Sequence, residues 1–135
     1  MKAKDYMQQV ARAERELKLI NAKRLHFIDL AESMGGGMGT TAAKPSGASR
    51  VESAAVALAD LTTELDVKAA EYMAFIRKAE KLIGKIPQEN FRHVLEYKYI
   101  AGLSWKAISD QMHYEDEKSV YRTHGFALRE LQKLL

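Results

Sequence analysis

Apolar side chains recur along the first half of the chain at alternating steps of three and four. Between Tyr6 and Leu30 they fall at Tyr6, Val10, Ala13, Leu17, Ile20 and Phe27, interrupted only by Arg24, where the stripe has room to drift to Leu25 and Ile28. That spacing keeps one face of a helix apolar and predicts an amphipathic helix of coiled-coil character, about 40 Å long at 1.5 Å per residue. Ser49 with Glu52 three residues on has the pattern of a capping box, so a second helix is expected to begin near Arg50. Its stripe reads Val51, Ala55, Leu58, Leu61 or Thr62, Leu65, Ala69, Tyr72, Ile76, Ala79, Leu82 and Ile83. Alanines at 54, 55, 57 and 59 would let a partner helix approach closely. Gly84 suits a C-terminal cap and Pro87 prevents continuation.

Between these helices, residues 34–48 hold four glycines in five positions. Such glycine content is also found in phosphate-cradling loops, but the Gly-Lys-Ser/Thr ending and a preceding strand pattern are missing. The stretch reads as a flexible linker. Two long helices on a soft connection most simply fold back as an antiparallel hairpin. Their remaining stripe then calls for another copy of the chain, a homodimer or higher oligomer.

The last fifty residues read as three shorter helices. Pro87 fits the first turn of a third helix, whose inner face is Phe91, Val94, Leu95 and Lys98 or Tyr99. Gly102 ends it. Ser104 is an N-cap for a short helix that turns Trp105, Ile108 and Met112 inward, with Leu103 and Ile108 as a hydrophobic staple. After the loop from His113, Asp116 caps the last helix. There Val120, His124, Ala127 and Leu131 share one face, widened by Leu128, Leu134 and Leu135. Turned away from it are Lys118, Arg122, Gly125 and Arg129, with Ser119 and Tyr121 beside them.

This opposite face carries the chemistry. Guanidinium groups bind phosphate or read guanine bidentately, and Ser119 and Tyr121 have hydroxyls for backbone or base edges, although Tyr121 equally suits a packing role. Lys106, on the preceding short helix, adds a further cation. Gly125 costs about 1 kcal/mol relative to alanine inside a helix, so close approach of a phosphate or a neighbouring helix is expected to offset it. The chain is therefore expected to be all-α: residues 1–85 a helical hairpin for oligomerisation, residues 86–135 a three-helix, helix-turn-helix DNA-binding domain.

Composition narrows the alternatives. The 135 residues carry a net charge of +3 and a pI near 9.1, which permits an anionic partner without demanding one. With no cysteine there is neither a disulfide framework nor a thiolate metal site, which fits a reducing cytoplasm. No signal-like apolar core opens the chain and no run is long enough to span a membrane. His26, His93, His113 and His124 lack close ligand spacing, so His124 reads as a packing or hydrogen-bonding residue, and no metal or other cofactor is expected. No nucleophile and base, and no carboxylate pair, stands out; an enzyme is not expected.

Residues 83–131 resemble the region-4 domain of bacterial sigma factors. They are more closely similar to the RinA/ArpU-type late-transcription regulators of phages and prophages. The likeness is carried by Leu95 with Tyr97-Lys98-Tyr99-Ile100, then Gly102-Leu103-Ser104-Trp105 with Ile108, and then Val120-Tyr121-Arg122 with His124-Gly125 and Ala127-Leu128. Arg50-Val51-Glu52-Ser53 and the leucines that follow add a looser match. The resemblance implies binding to promoter DNA and activation of late genes together with host RNA polymerase. By it, the helix from about Glu117 is the recognition helix and Lys118, Ser119, Tyr121 and Arg122 face the groove. One departure is a turn before Val120 that is one residue longer, with Glu115, Asp116 and Glu117 where a serine or threonine cap is common.

Charge sets a second expectation beside the first. Residues 86–135 hold seven basic and seven acidic side chains. Counterion release supplies most non-specific affinity for DNA, so such a monomer should bind weakly, and pairing two readers would compensate. The same neutrality suits a different class of protein: an interaction or assembly module that docks on polymerase or resembles the small terminase subunit of a packaging machine.

Overall fold

The computed structural model describes residues 1–37 and 45–135, with the backbone alone for 34–37 and 45–51. The fold is all-helical, 86% helix, with no strand among the described residues. Helix α1 spans Ala3–Gly37 and α2 spans Pro45–Gly84. Helix α3 (Glu89–Leu95) widens into a π-helical turn over Glu96–Ile100, and α4 (Trp105–Gln111) and α5 (Glu117–Leu134) follow.

Helix covers both ends of the stretch 34–48 expected to be a linker. α1 continues through Gly37, and α2 begins at Pro45, ahead of the capping-box pattern at Ser49. Proline at a first helical position is preset in φ and loses no hydrogen bond there, which explains the earlier start. The rest of that stretch, residues 38–44, lies outside the described residues. Gly84 is the last helical residue of α2 rather than a left-handed cap: the N–H groups of Lys85 and Ile86 bond three residues back to Leu82 and Ile83 at 3.1 and 3.0 Å, closing a tight 3₁₀ turn. Pro87 precedes α3, whose N-cap is Gln88. The Arg92 guanidinium fastens this junction by donating to the carbonyls of Ile86 and Pro87 at 2.6 and 3.0 Å.

The residues group into two compact units, Met1–Glu16 with Tyr72–Leu135, and Leu17–Glu71. In the first, Met7 and Val10 from α1, Ile83 from the end of α2, Ile86 from the turn after it, and Val94, Leu95, Ile108, Val120 and Leu131 from the C-terminal helices are buried in one core. Gln132 ties the two termini, accepting from the Ala3 N–H at 2.7 Å and donating to the Met1 carbonyl at 3.2 Å. Periodicity placed a boundary between residues 85 and 86; the core runs across it, because Ile83 and Ile86 fill the same interior as α3 to α5. Tyr6 lies at this core with its ring edge-on to Phe75, and its buried hydroxyl has no hydrogen-bond partner among the described residues.

In the second unit Ile20, Leu65 and Ala69 are buried, and Arg24 pairs with Asp66 at 2.6 Å. Arg24 thus keeps its place on the inner stripe by meeting a carboxylate from α2. The stripe does not drift: Leu25 and Ile28 remain 63% and 48% exposed.

Local signals fix the short elements of the first unit. Gly102, at φ 71°, ends the π-helical turn, and Leu103 N–H reaches back six residues to Tyr97 at 3.0 Å, one more than in the usual glycine-capped ending. The extra residue is the π widening, visible in the Ala101 N–H to Glu96 carbonyl bond at 2.9 Å. Ser104 caps α4 by accepting from Ala107 N–H at 3.2 Å, and Asp116 caps α5 by accepting from Ser119 N–H at 3.0 Å, both as expected from sequence. α4 ends on His113 with φ 58°, a left-handed residue at the position where glycine is commonest. Leu134 and Leu135 do not widen the apolar face of α5: the helix outruns the core there, and both are exposed.

Candidate nucleic-acid interface

α5 is held by its buried face, where Val120, Ala127 and Leu131 are fully enclosed. Thr123, which periodicity did not single out, is also buried; its hydroxyl donates to the Ser119 carbonyl at 2.9 Å and meets the Tyr114 hydroxyl at 3.2 Å. With that face fixed, helical geometry turns Lys118, Arg122, Gly125 and Arg129 outward, and all four are exposed. Neither Lys118 nor Arg122 has a hydrogen bond or ion pair among the described residues. The Arg129 guanidinium lies 5.7 Å from the Phe126 ring centroid. Lys106 is exposed on α4.

Two of the expected contact residues have partners within the chain. Ser119 is half-buried, and its hydroxyl donates to Asp116 Oδ1 at 3.1 Å beside the backbone bond. It sits three residues after the cap, where the helix geometry directs the N–H back to the capping carboxylate. These bonds, with Lys118 and Arg122 nearby, hold the Asp116 carboxyl below its ordinary range. Tyr121 is 46% exposed, yet its ring meets Trp105 edge-on at 5.1 Å and its hydroxyl donates to Glu117 at 3.1 Å. It has both the packing role and an accessible face.

Beside Tyr121 lies a cluster that the periodic pattern did not assemble. Trp105 is edge-on to His124 at 4.9 Å, and Lys98 Nζ stands 4.3 Å from the Trp105 ring centroid. The Tyr99 hydroxyl is 2.6 Å from His124 Nε2. Burial pushes the Tyr99 phenol up to about 12. Burial, then Lys4 and Lys98, push the His124 imidazole down. The direction of this bond follows the histidine tautomer: Tyr99 donates when the ring proton is on Nδ1 and accepts when it is on Nε2. On the other flank of α5 the Phe126 ring stacks at a tilt on Phe91 of α3, 6.2 Å between centroids. The cationic row is therefore rimmed on each side by an aromatic group anchored on another helix. The signal in the sequence was the aromatic content of positions 91, 99, 105, 121 and 126, which does not reveal partners.

Gly125 has open space around it: an added Cβ would meet nothing within 4 Å. Among the described residues no neighbouring helix approaches it.

Electrostatics also differ from the fragment count. The compact unit holding α5 includes Lys2, Lys4, Arg12, Arg15, Arg77, Lys78, Lys81 and Lys85 against Asp5, Glu14, Glu16 and Glu80, so it carries fifteen basic and eleven acidic residues, a net of +4. Leu17–Glu71, with six basic and seven acidic residues, is at −1. Among the described residues no group of three or more His, Asp or Glu is placed to hold a metal ion, and no helix is long and apolar enough to cross a membrane. Comparison of the chain with family models, curated proteins and solved structures gives no match.

Proposed function

We propose that the protein is a sequence-specific DNA-binding transcriptional regulator, in which α4 and α5 form a helix-turn-helix and α5 enters the major groove. The observation that carries this reading is the exposed row Lys118, Arg122, Gly125 and Arg129 on a helix whose opposite face is locked in a core. A net +4 on the same compact unit supplies the electrostatic attraction that residues 86–135 lack by themselves. The resemblance described above extends the reading to late-gene activation in a phage or prophage, with host RNA polymerase as a further partner and residues 1–85 as a hairpin that pairs copies.

The test is selection of bound duplexes from a random library, followed by affinity across a salt series. Arg122→Ala weakens binding to the selected site by about 1–3 kcal/mol if the residue reads a base. Failure to enrich any sequence, with affinity insensitive to salt and to this substitution, overturns the proposal. A second reading, docking on another protein, is favoured by Phe126, 43% exposed beside Arg129. Stoichiometric recovery of polymerase or of a packaging component, without DNA retention, would select it.

A further inference from the structure

We propose that Lys4 at the start of α1 and Lys98 in the π-helical turn hold phosphates of one DNA strand along the rim of the groove that α5 enters, so that two segments outside α4 and α5 belong to the interface. The inference rests on the DNA-binding reading and adds to it two residues with a sequence-independent role.

The two lysines reach α5 on the same flank by different routes. With Val120, Ala127 and Leu131 inward, steps of about 100° per residue place Ser119, Phe126 and Glu130 on one side of the outward row. Tyr121, Leu128 and Gln132 fall on the other side, with His124 at its inner edge. That second side is where the other segments arrive. The Gln132 side chain accepts from the Ala3 N–H at 2.7 Å, and Ala3 is buried with Ala127 and Leu131, which sets Lys4, the next residue, beside α5. Tyr121 and His124 both meet Trp105. Lys98 Nζ lies 4.3 Å from the Trp105 ring centroid, where it donates to the Leu103 carbonyl at 3.4 Å. The charges of Lys4 and Lys98 are both felt at His124.

Size and charge identify what this flank meets. A helix with its side chains is about 10–12 Å across and the major groove about 12 Å wide, so the outward row of α5 faces base edges, while cations carried beside it on other elements fall at the phosphate rim. Neither lysine has a carboxylate partner among the described residues. Asp5 and Glu96, the nearest carboxylates in sequence, stand one and two residues away, spacings at which helical side chains do not face each other. Of the two carboxylates in α5, Glu117 lies on this flank and accepts from the Tyr121 hydroxyl, and Glu130, on the opposite flank, pairs with Lys133. Lys98 is half-buried against Trp105, which presets its ammonium, while Lys4 is exposed and able to follow a phosphate. A strand with a charge on every nucleotide satisfies two such cations at once, and contacts of that kind set register without reading sequence.

The experiment is binding of the whole chain, across a salt series, to a duplex selected from a random library and to an unrelated duplex of equal length. The wild type is compared with Lys4→Gln, Lys98→Gln, the double variant, Lys98→Arg and Lys133→Gln. Each phosphate contact removed should reduce the slope of log affinity against log salt by about 0.9, and the double variant should lose about 1.8. The loss should be equal on the two duplexes, and Lys98→Arg should retain the wild-type slope. Lys133→Gln changes the net charge by the same amount, but its ammonium is already paired with Glu130, so its slope should stay at the wild-type value. Circular dichroism and a urea midpoint for each variant separate loss of fold from loss of contact; should Lys98→Gln unfold, Lys4→Gln decides alone. A wild type with salt-dependent affinity whose slope is kept by Lys4→Gln and Lys98→Gln overturns this proposal and leaves the DNA-binding reading standing. A loss confined to the selected duplex, or an equal loss in Lys133→Gln, overturns it too. A wild type that binds neither duplex at any salt removes both.

Discussion

Gly125 and His124 adjoin in sequence and pose opposite problems. Gly125 is exposed, mid-helix and unconfined, so within the chain it only lowers helix stability. Gly125→Ala should raise unfolding stability by about 1 kcal/mol in urea titration. If a phosphate must approach that point of α5, the same substitution weakens DNA binding while stabilising the fold; equal or tighter binding would leave the glycine without that role. His124 is half-buried and bonded to Tyr99, with Lys98 from the π-helical turn and Lys4 from α1 on its surroundings. Its folded-state pKa is depressed, so its contribution to stability is present above the ordinary histidine value of about 6.5 and is lost as pH falls through the folded value. The stability gap between wild type and His124→Gln should therefore shrink as pH is lowered from neutrality to about 5. A gap that stays constant would mean that the imidazole is not held neutral. Histidine spacing argued against a ligand, but only packing shows what holds the ring.

At the scale of elements, α4 shows how far local chemistry reaches. It has seven residues, too few to be stable alone, and its start depends on Ser104. Ser104→Ala should cost about 1 kcal/mol, read as a lower urea midpoint with unchanged slope. An unchanged midpoint would mean that Leu103 and Ile108 hold the start without the cap. The N-caps at Ser104 and Asp116 were legible because each depends on residues three positions apart, and the turn at Gly102 because one glycine supplies its positive φ. The π widening after Leu95 was not, since no local spacing in the sequence marks it. The fate of Arg24 was hidden for the same reason. Its place on an apolar stripe looked like a break, and only the arrival of Asp66 makes it a continuation.

For the molecule as a whole, the division of labour shifts. Sequence period separated a hairpin at 1–85 from a reader at 86–135, whereas the first turns of α1 and the end of α2 complete the core beneath α3 to α5. Met7 is fully buried there. Met7→Ala should cost about 2–5 kcal/mol. Trp105, the one tryptophan of the chain, lies far off in sequence and reports the loss. Its fluorescence transition should move with the overall helical signal. If Trp105 unfolds at its wild-type midpoint while helicity elsewhere is lost, residues 86–135 fold independently.

What the sequence determined alone was every feature with a short range: an all-helical chain, the two long amphipathic stripes, the caps at Ser104 and Asp116, and the outward row Lys118, Arg122, Gly125 and Arg129. Each follows from helical period or from a side chain bonding its own backbone a turn away. Tertiary structure alone decided which residues share a core, that Tyr121 rests on Trp105, and that the cationic row stands on a unit of net +4 rather than zero. Those outcomes depend on which distant helices meet, and a periodic pattern states only that a face must be covered, not by what.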